Sequence, residues 1–128
     1  MIGFYADEIE KDNKACIEKL LNNCCLKTDT CAPFLESMYL ETSPSVWRSC
    51  FLEMIRWDKD KVKDQIKKIH IPILYIEAEN CIIDMLAFKE LYPGLMTAKV
   101  VSSGHLLSLE VPEQINPMIE RFSLTALH

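Results

Sequence analysis

The segment Ser102-Ser103-Gly104-His105 places two hydroxyl groups and an imidazole directly after a predicted strand, Thr97 to Val101. Histidine titrates near neutrality, so its side chain can take up and release a proton at physiological pH. Loops at the carboxyl ends of strands are also where α/β sheets hold their sites. These properties are compatible with acid–base chemistry at His105. The alternative is an ordinary loop histidine ahead of the next helix.

The cysteines could support a second kind of chemistry. They are Cys16, Cys24, Cys25, Cys31, Cys50 and Cys81. Residues 1–20 do not resemble a basic, apolar, cleavable signal, so nothing indicates the secretory route on which disulfides form. The sequence has no Cys-x-x-Cys, and the adjacent thiols of Cys24 and Cys25 cannot easily reach one metal ion. We therefore predict free, buried thiols in a cytoplasmic protein, with no metal and no cofactor.

Composition and charge exclude several classes of protein. The 128 residues are 49% hydrophobic and 26% charged, which is typical of a globular chain. The net charge is −5, and acidic and basic residues are interleaved without a basic stripe, so we expect no nucleic-acid partner. The longest apolar runs, such as Ile71 to Ile76, are too short to span a bilayer, so we expect no membrane span.

The periodicity of apolar residues predicts an α/β fold in two parts. The first part is helical, with predicted helices at 7–26, from Pro33 to about Leu40, and from Ser43-Pro44 onward. The second is a βαβα unit, with a strand at 71–76, a helix at 82–92, a strand at 97–101, and a helix from Pro112 to about Leu124. Pro117 falls inside this last helix, so the helix either is kinked there or begins at Asn116. The two strands should be parallel, because a helix connects them.

The second part resembles the α/β-hydrolase fold superfamily. The run 69–76, Ile-His-Ile-Pro-Ile-Leu-Tyr-Ile, resembles a proline-led strand of that family, and Gly104-His105 followed by Glu110-Val111-Pro112-Glu113 resembles its closing signature. The resemblance implies a partial α/β-hydrolase fold. Residues 1–61 would be a helical cap-like region, and residues 62–128 the C-terminal βαβα part of the core. It also implies that His105 is the catalytic base that takes a proton from a nucleophilic serine.

The resemblance leaves the acid that would orient His105 open. The family has an aspartate after the first of these strands, and Cys81 occupies the aligned position. Glu79 lies two residues earlier and Asp84 three residues later, and either carboxylate could take the role. Both could instead be ordinary solvated carboxylates. A thiolate–imidazole pair of Cys81 and His105 is a further hypothesis.

The nucleophile of the family is missing from this sequence. The family carries it in a Gly-x-Ser-x-Gly elbow, and none of Gly3, Gly94 and Gly104 flanks a serine in that way. Ser102 and Ser103 are too close to His105 in sequence for the family's geometry. The resemblance therefore implies a segment of an esterase- or lipase-like serine hydrolase, inactive as an isolated chain because the elbow and the oxyanion hole are absent. The alternatives are a standalone interaction or small-apolar-ligand-binding module derived from that fold, or an unrelated α+β protein.

Two features indicate that the chain needs a partner. A sheet of two parallel strands has an unpaired edge on each side. The predicted apolar stripe at Phe51, Met54, Ile55 and Trp57 needs a surface to cover it. We expect self-association, or an N-terminal half supplied by other residues, and a small apolar ligand between the cap helices is a further candidate. A compact monomer with helices folded over the sheet is the alternative.

Overall fold

A computed structural model describes residues 2–26, 28–79 and 83–126. The chain divides into two compact units, Met1–Asp64 and Gln65–His128. The first unit holds α1 (Ile2–Glu8), α2 (Asn13–Cys24), α3 (Thr28–Glu41) and α4 (Pro44–Asp60), and α5 (Val62–Ile66) spans the division. The second holds β1 (Leu74–Glu77), α6 (Met85–Leu91), β2 (Met96–Lys99), α7 (Leu107–Glu110) and α8 (Pro112–Ala126). Among the described residues, no helix is long and apolar enough to cross a bilayer.

The amino-terminal helical segment consists of two helices, so the prediction of one helix over 7–26 was wrong. The carboxylate of Asp12 accepts a hydrogen bond from Ala15 N at 3.1 Å and caps α2. A short acidic side chain at this position satisfies a backbone N–H that a helix start leaves unpaired. The chain can therefore stop α1 at Glu8 and begin again at Asn13.

The two proline-led predictions in this unit have different outcomes. The helix predicted to begin at Pro33 begins at Thr28 and includes Pro33, so that prediction was wrong. Pro33 is the sixth residue of α3, beyond the four N–H groups that a helix start leaves unpaired, so it removes one intrahelical hydrogen bond. The prediction at Ser43-Pro44 is confirmed, since Ser43 precedes α4 and Pro44 is its first residue.

The core of the first unit lies where α1 packs on α4 and α2 packs on α3. Ile9 and Ile17 are fully buried in it. Trp47 stacks on the buried ring of Phe51 with 5.6 Å between centroids, and its indole N–H donates to the carbonyl of Tyr39 at 3.0 Å. Aromatic side chains therefore hold α3, α4 and α1 together.

Part of the predicted apolar stripe on α4 remains uncovered. Phe51 is buried, but Met54 is 53% exposed and Trp57 is 49% exposed. Val46 and Cys50 are also exposed, and with Met54 and Trp57 they follow a helical spacing of four, four and three residues. We call these four residues the α4 stripe.

The second unit is a small α/β arrangement with one parallel sheet, as predicted. β1 and β2 pair from Leu74 opposite Met96 to Glu77 opposite Lys99. Side chains alternate between the faces of a sheet, so Ile76 and Tyr75 point to opposite sides. Ile76 packs on a buried cluster of Val100, Val111 and Ile115, the last of which lies on α8, whereas Tyr75 meets the ring of Phe88 on α6 with 5.9 Å between centroids. α8 and α6 therefore cover opposite faces of the sheet.

The last helix begins at Pro112, as predicted, and continues through Pro117 to Ala126. The alternative start at Asn116 was wrong. Pro117 removes a single backbone hydrogen bond, and Ile115 is buried against the sheet just before it. Packing of this face supports the helix through the proline.

Candidate functional site

The loop that follows β2 runs beside the loop that follows β1. Val100 N donates to the carbonyl of Glu77 at 3.0 Å, and Glu79 N donates to the carbonyl of Ser103 at 3.2 Å. Parallel strands end at the same edge of a sheet, and in α/β folds this edge carries the ligands and the chemistry. Residues 101–105, here called the His105 loop, therefore lie where the fold would place a site.

The side chain of Gln114 holds the first residue of this loop. Its amide oxygen accepts from Val101 N at 3.0 Å, and its amide nitrogen donates to the carbonyl of Val101 at 3.0 Å. Both backbone groups of Val101 are satisfied in the way a neighbouring strand would satisfy them. The chain beyond β2 is thus bound directly to α8.

Glu79 holds the second residue of the loop. Ser102 has a φ of 55°, in the left-handed region, which costs a residue other than glycine about 1–2 kcal/mol. Its backbone N–H donates to Glu79 Oε2 at 3.0 Å, and a hydrogen bond to a carboxylate offsets part of that cost. The structure therefore places Glu79 at the His105 loop, in contact with Ser102. Its role as the acid that orients His105 remains a prediction.

A buried carboxylate holds the next two residues. Glu110, at the end of α7, is 6% exposed, and its Oε2 accepts from Gly104 N at 2.6 Å. Ser103 is fully buried, with its Oγ 3.4 Å from the same oxygen and donating to the carbonyl of Gly104 at 3.0 Å. A buried carboxylate requires donors of this kind, and short contacts to it are strong. The hydroxyl of Ser103 is therefore committed to the loop and has no access to a substrate.

The position of Glu110 was not assigned a role from the sequence, where it appears only as part of the closing signature. A signal was present, because a charged residue between Leu109 and Val111 interrupts an apolar stretch. Charged side chains in such a setting are rarely buried unless they have partners. The sequence does not show which backbone groups become the partners of Glu110, because that depends on how the chain folds.

His105 follows these held residues on an exposed turn before α7. Its imidazole makes no hydrogen bond or ion pair with the part of the chain that the structure describes. Both ring nitrogens can therefore meet an incoming molecule. An imidazole on a fixed backbone can accept a proton from a hydroxyl and later return it, which is the chemistry of a general base.

The other two predicted positions lie outside this constellation. Asp84 is exposed and caps α6, accepting from Ala87 N at 3.0 Å, which is a common role for aspartate just before a helix. Its predicted role beside His105 has no contact to support it among the described residues. Cys81, and with it the hypothetical thiolate–imidazole pair, lies outside the described residues.

Six thiols were predicted to be buried, and two of them, Cys31 and Cys81, lie outside the residues whose burial the structure describes. Cys16 and Cys25 are buried, and Cys24 is half-buried. Loss of hydration raises the pKa of the Cys16 thiol and the pKa of the Cys24 thiol above their ordinary values, so both stay neutral. The prediction of burial was wrong for Cys50, which is exposed on the α4 stripe. In the described ranges no cluster of histidine, cysteine or acidic side chains could hold a metal ion.

No protein-family model matches this chain, and neither a curated protein nor a solved structure is similar to it. Function is therefore inferred from the geometry of the His105 loop.

Proposed function

We propose that the second unit is the C-terminal part of an α/β-hydrolase core and that His105 is its general base. One observation supports this above all others. Side chains from three other segments, Glu79, Glu110 and Gln114, bind the four residues directly before an exposed and unengaged imidazole. A catalytic base must be held close to its productive position, and a backbone bound at successive residues does this.

In the proposed reaction His105 takes the proton from a serine hydroxyl as that oxygen attacks the carbonyl of a carboxylic ester. The bond to the alkoxide then breaks, and the imidazolium returns the proton to the departing oxygen, which leaves an acyl-serine. Water that His105 deprotonates then attacks this acyl group, the acid is released, and the proton returns to the serine oxygen. The serine and the oxyanion-binding donors would come from residues outside this sequence, because Ser103 is buried and no Gly-x-Ser-x-Gly occurs here. Without those groups the isolated chain would not hydrolyse esters.

The first test is hydrolysis of p-nitrophenyl acetate and p-nitrophenyl butyrate by the 128-residue chain. We expect the same background rate for the wild type, His105→Ala and the matched control His70→Ala, whose histidine is also exposed. A wild-type rate that His105→Ala alone removes would show that a nucleophile is already present in this chain. The proposal of an incomplete site would then be wrong.

The second test searches transcripts for coding sequence joined upstream of this chain that encodes a Gly-x-Ser-x-Gly elbow. The joined protein should hydrolyse the butyrate ester, and His105→Ala should lower kcat by about 10⁶-fold, the effect of losing the histidine of a triad. His70→Ala should leave kcat unchanged. If the joined protein keeps its activity in the His105→Ala variant, His105 is not the general base.

The α4 stripe favours a second, non-catalytic function. We propose as the alternative that the chain is an interaction module that self-associates through this stripe, because four exposed apolar side chains on one helix face are costly in water. In analytical ultracentrifugation the wild type should form a dimer and Met54→Glu a monomer. Ser49→Glu adds the same charge on another face of α4 and should leave the dimer intact. A wild type that stays monomeric at high concentration would exclude this function.

A further inference from the structure

A groove of about 510 Å³ lies between the sheet and α8 in the second unit. Leu74, Met96 and Ala98 contribute from the strands, and Met118 and Phe122 from the helix. Leu74 and Met96 are the first residues of β1 and β2, whereas His105 follows the end of β2. The groove extends from the first residues of both strands to Ala98 and shares no residue with the His105 loop.

Arg121 is the only charged side chain among the described residues that line the groove. It is exposed, and within the described ranges its guanidinium forms no ion pair. The hydroxyl of Thr125, which also lines the groove, already donates to the carbonyls of Arg121 and Phe122. The guanidinium is therefore the one charged group that this described lining offers to a ligand, and its planar donors match a carboxylate.

We propose that this groove binds a linear fatty acid, with its chain against Leu74, Met96 and Met118 and its carboxylate on Arg121. The volume falls in the range of small-ligand sites, which combine apolar walls with few polar groups. Two methionine side chains suit a flexible chain, because methionine is unbranched and adapts its shape. The protein carries a net charge of −5, so a carboxylate needs a local cation to bind here.

Isothermal titration of the full chain with decanoate tests the proposal. Arg121→Gln should weaken decanoate binding about threefold to fivefold, the effect of losing an exposed ion pair. The matched control Arg56→Gln removes an exposed arginine from the first unit and should bind decanoate like the wild type. Decanol has the same chain and no charge, so its affinity should be equal for the wild type and Arg121→Gln.

Ala98→Phe fills the groove without touching Arg121 and should abolish decanoate binding, with circular dichroism verifying that the variant is folded. Equal decanoate affinity in the wild type and Arg121→Gln would overturn the proposal, as would saturating decanoate without a binding signal. A wild-type dimer that Ala98→Phe dissociates would assign the groove to a second copy of the chain instead. None of these outcomes depends on His105, so the hydrolase proposal stands or falls separately.

Discussion

Replacing Glu110 by alanine tests whether the buried carboxylate holds the His105 loop. The substitution leaves the buried N–H of Gly104 without the acceptor that lies 2.6 Å away. Losing a hydrogen bond to a charged group costs about 1.5–3 kcal/mol. Ser103 loses only a 3.4 Å contact and keeps its bond to the carbonyl of Gly104, so it adds little. We expect the free energy of unfolding of the second unit to fall by about 2–3 kcal/mol.

Two further variants calibrate this value. Glu110→Gln keeps an acceptor oxygen but loses the charge, so it should cost about 1 kcal/mol. Glu120→Ala removes a carboxylate from an exposed position on α8 and should change the free energy of unfolding by less than about 0.5 kcal/mol. If Glu110→Ala and Glu120→Ala are equally stable, the carboxylate does not hold the loop and the reasoning fails.

The assay has to separate the two units. Both tryptophans, Trp47 and Trp57, lie in the first unit, so tryptophan fluorescence during urea denaturation reports that unit alone. Hydrogen exchange of peptides from the second unit, measured over the same urea series, gives the stability of the second unit. Glu110→Ala should alter the exchange and leave the fluorescence midpoint in place. A shifted fluorescence midpoint would show that the substitution acts beyond the loop.

Four further predictions concern single side chains. Ser102→Gly should raise the free energy of unfolding by about 0.5–1 kcal/mol in urea denaturation, because glycine accepts the positive φ. A lower free energy of unfolding would show that the backbone of Ser102 is not strained. Ile115→Ala should cost about 2–5 kcal/mol by the same measurement, whereas the half-exposed control Ile119→Ala should cost far less. Ellman's reagent at neutral pH should modify Cys50 before Cys16. Burial raises the folded pKa of the Cys16 thiol above its ordinary value, so its contribution to stability is complete below the unfolded pKa and is lost as the pH rises through the folded pKa. Stability that rises with pH in that range would contradict this.

The elements of the second unit were predictable where a short stretch of sequence carries their signal. A run of β-branched residues ending at Ile76 indicated β1, and Pro112 indicated the start of α8. The break at Asp12 was not apparent, because Ile9 and Ile17 continue the apolar pattern on both sides of it. Asp84 just before an apolar run is an ordinary capping signal, whereas the resemblance offered it a role beside His105.

The contacts of the candidate site could not be predicted in the same way. Glu79 meets Ser102 across 23 residues, and Gln114 meets Val101 across 13. Many acidic and amide side chains in the sequence could bind a backbone N–H, and only the packing of α8 and β1 determines which of them reaches the loop. The position of His105 was predictable from its motif, whereas the side chains that hold it were not.

The long separations in the His105 loop also bear on how the second unit folds. Its hydrogen bonds join β1, β2 and α8, so they can form only after these elements have come together, and closing such long segments of chain costs entropy first. Ordering of the loop should follow the rate-limiting step. Glu79→Ala removes the contact across 23 residues, so it should accelerate unfolding in stopped-flow experiments and leave the folding rate unchanged. A slower folding rate would place the loop in the nucleus. The backbone directly before His105 is therefore ordered only at the end of folding, so the proposed proton transfer would require the completed unit.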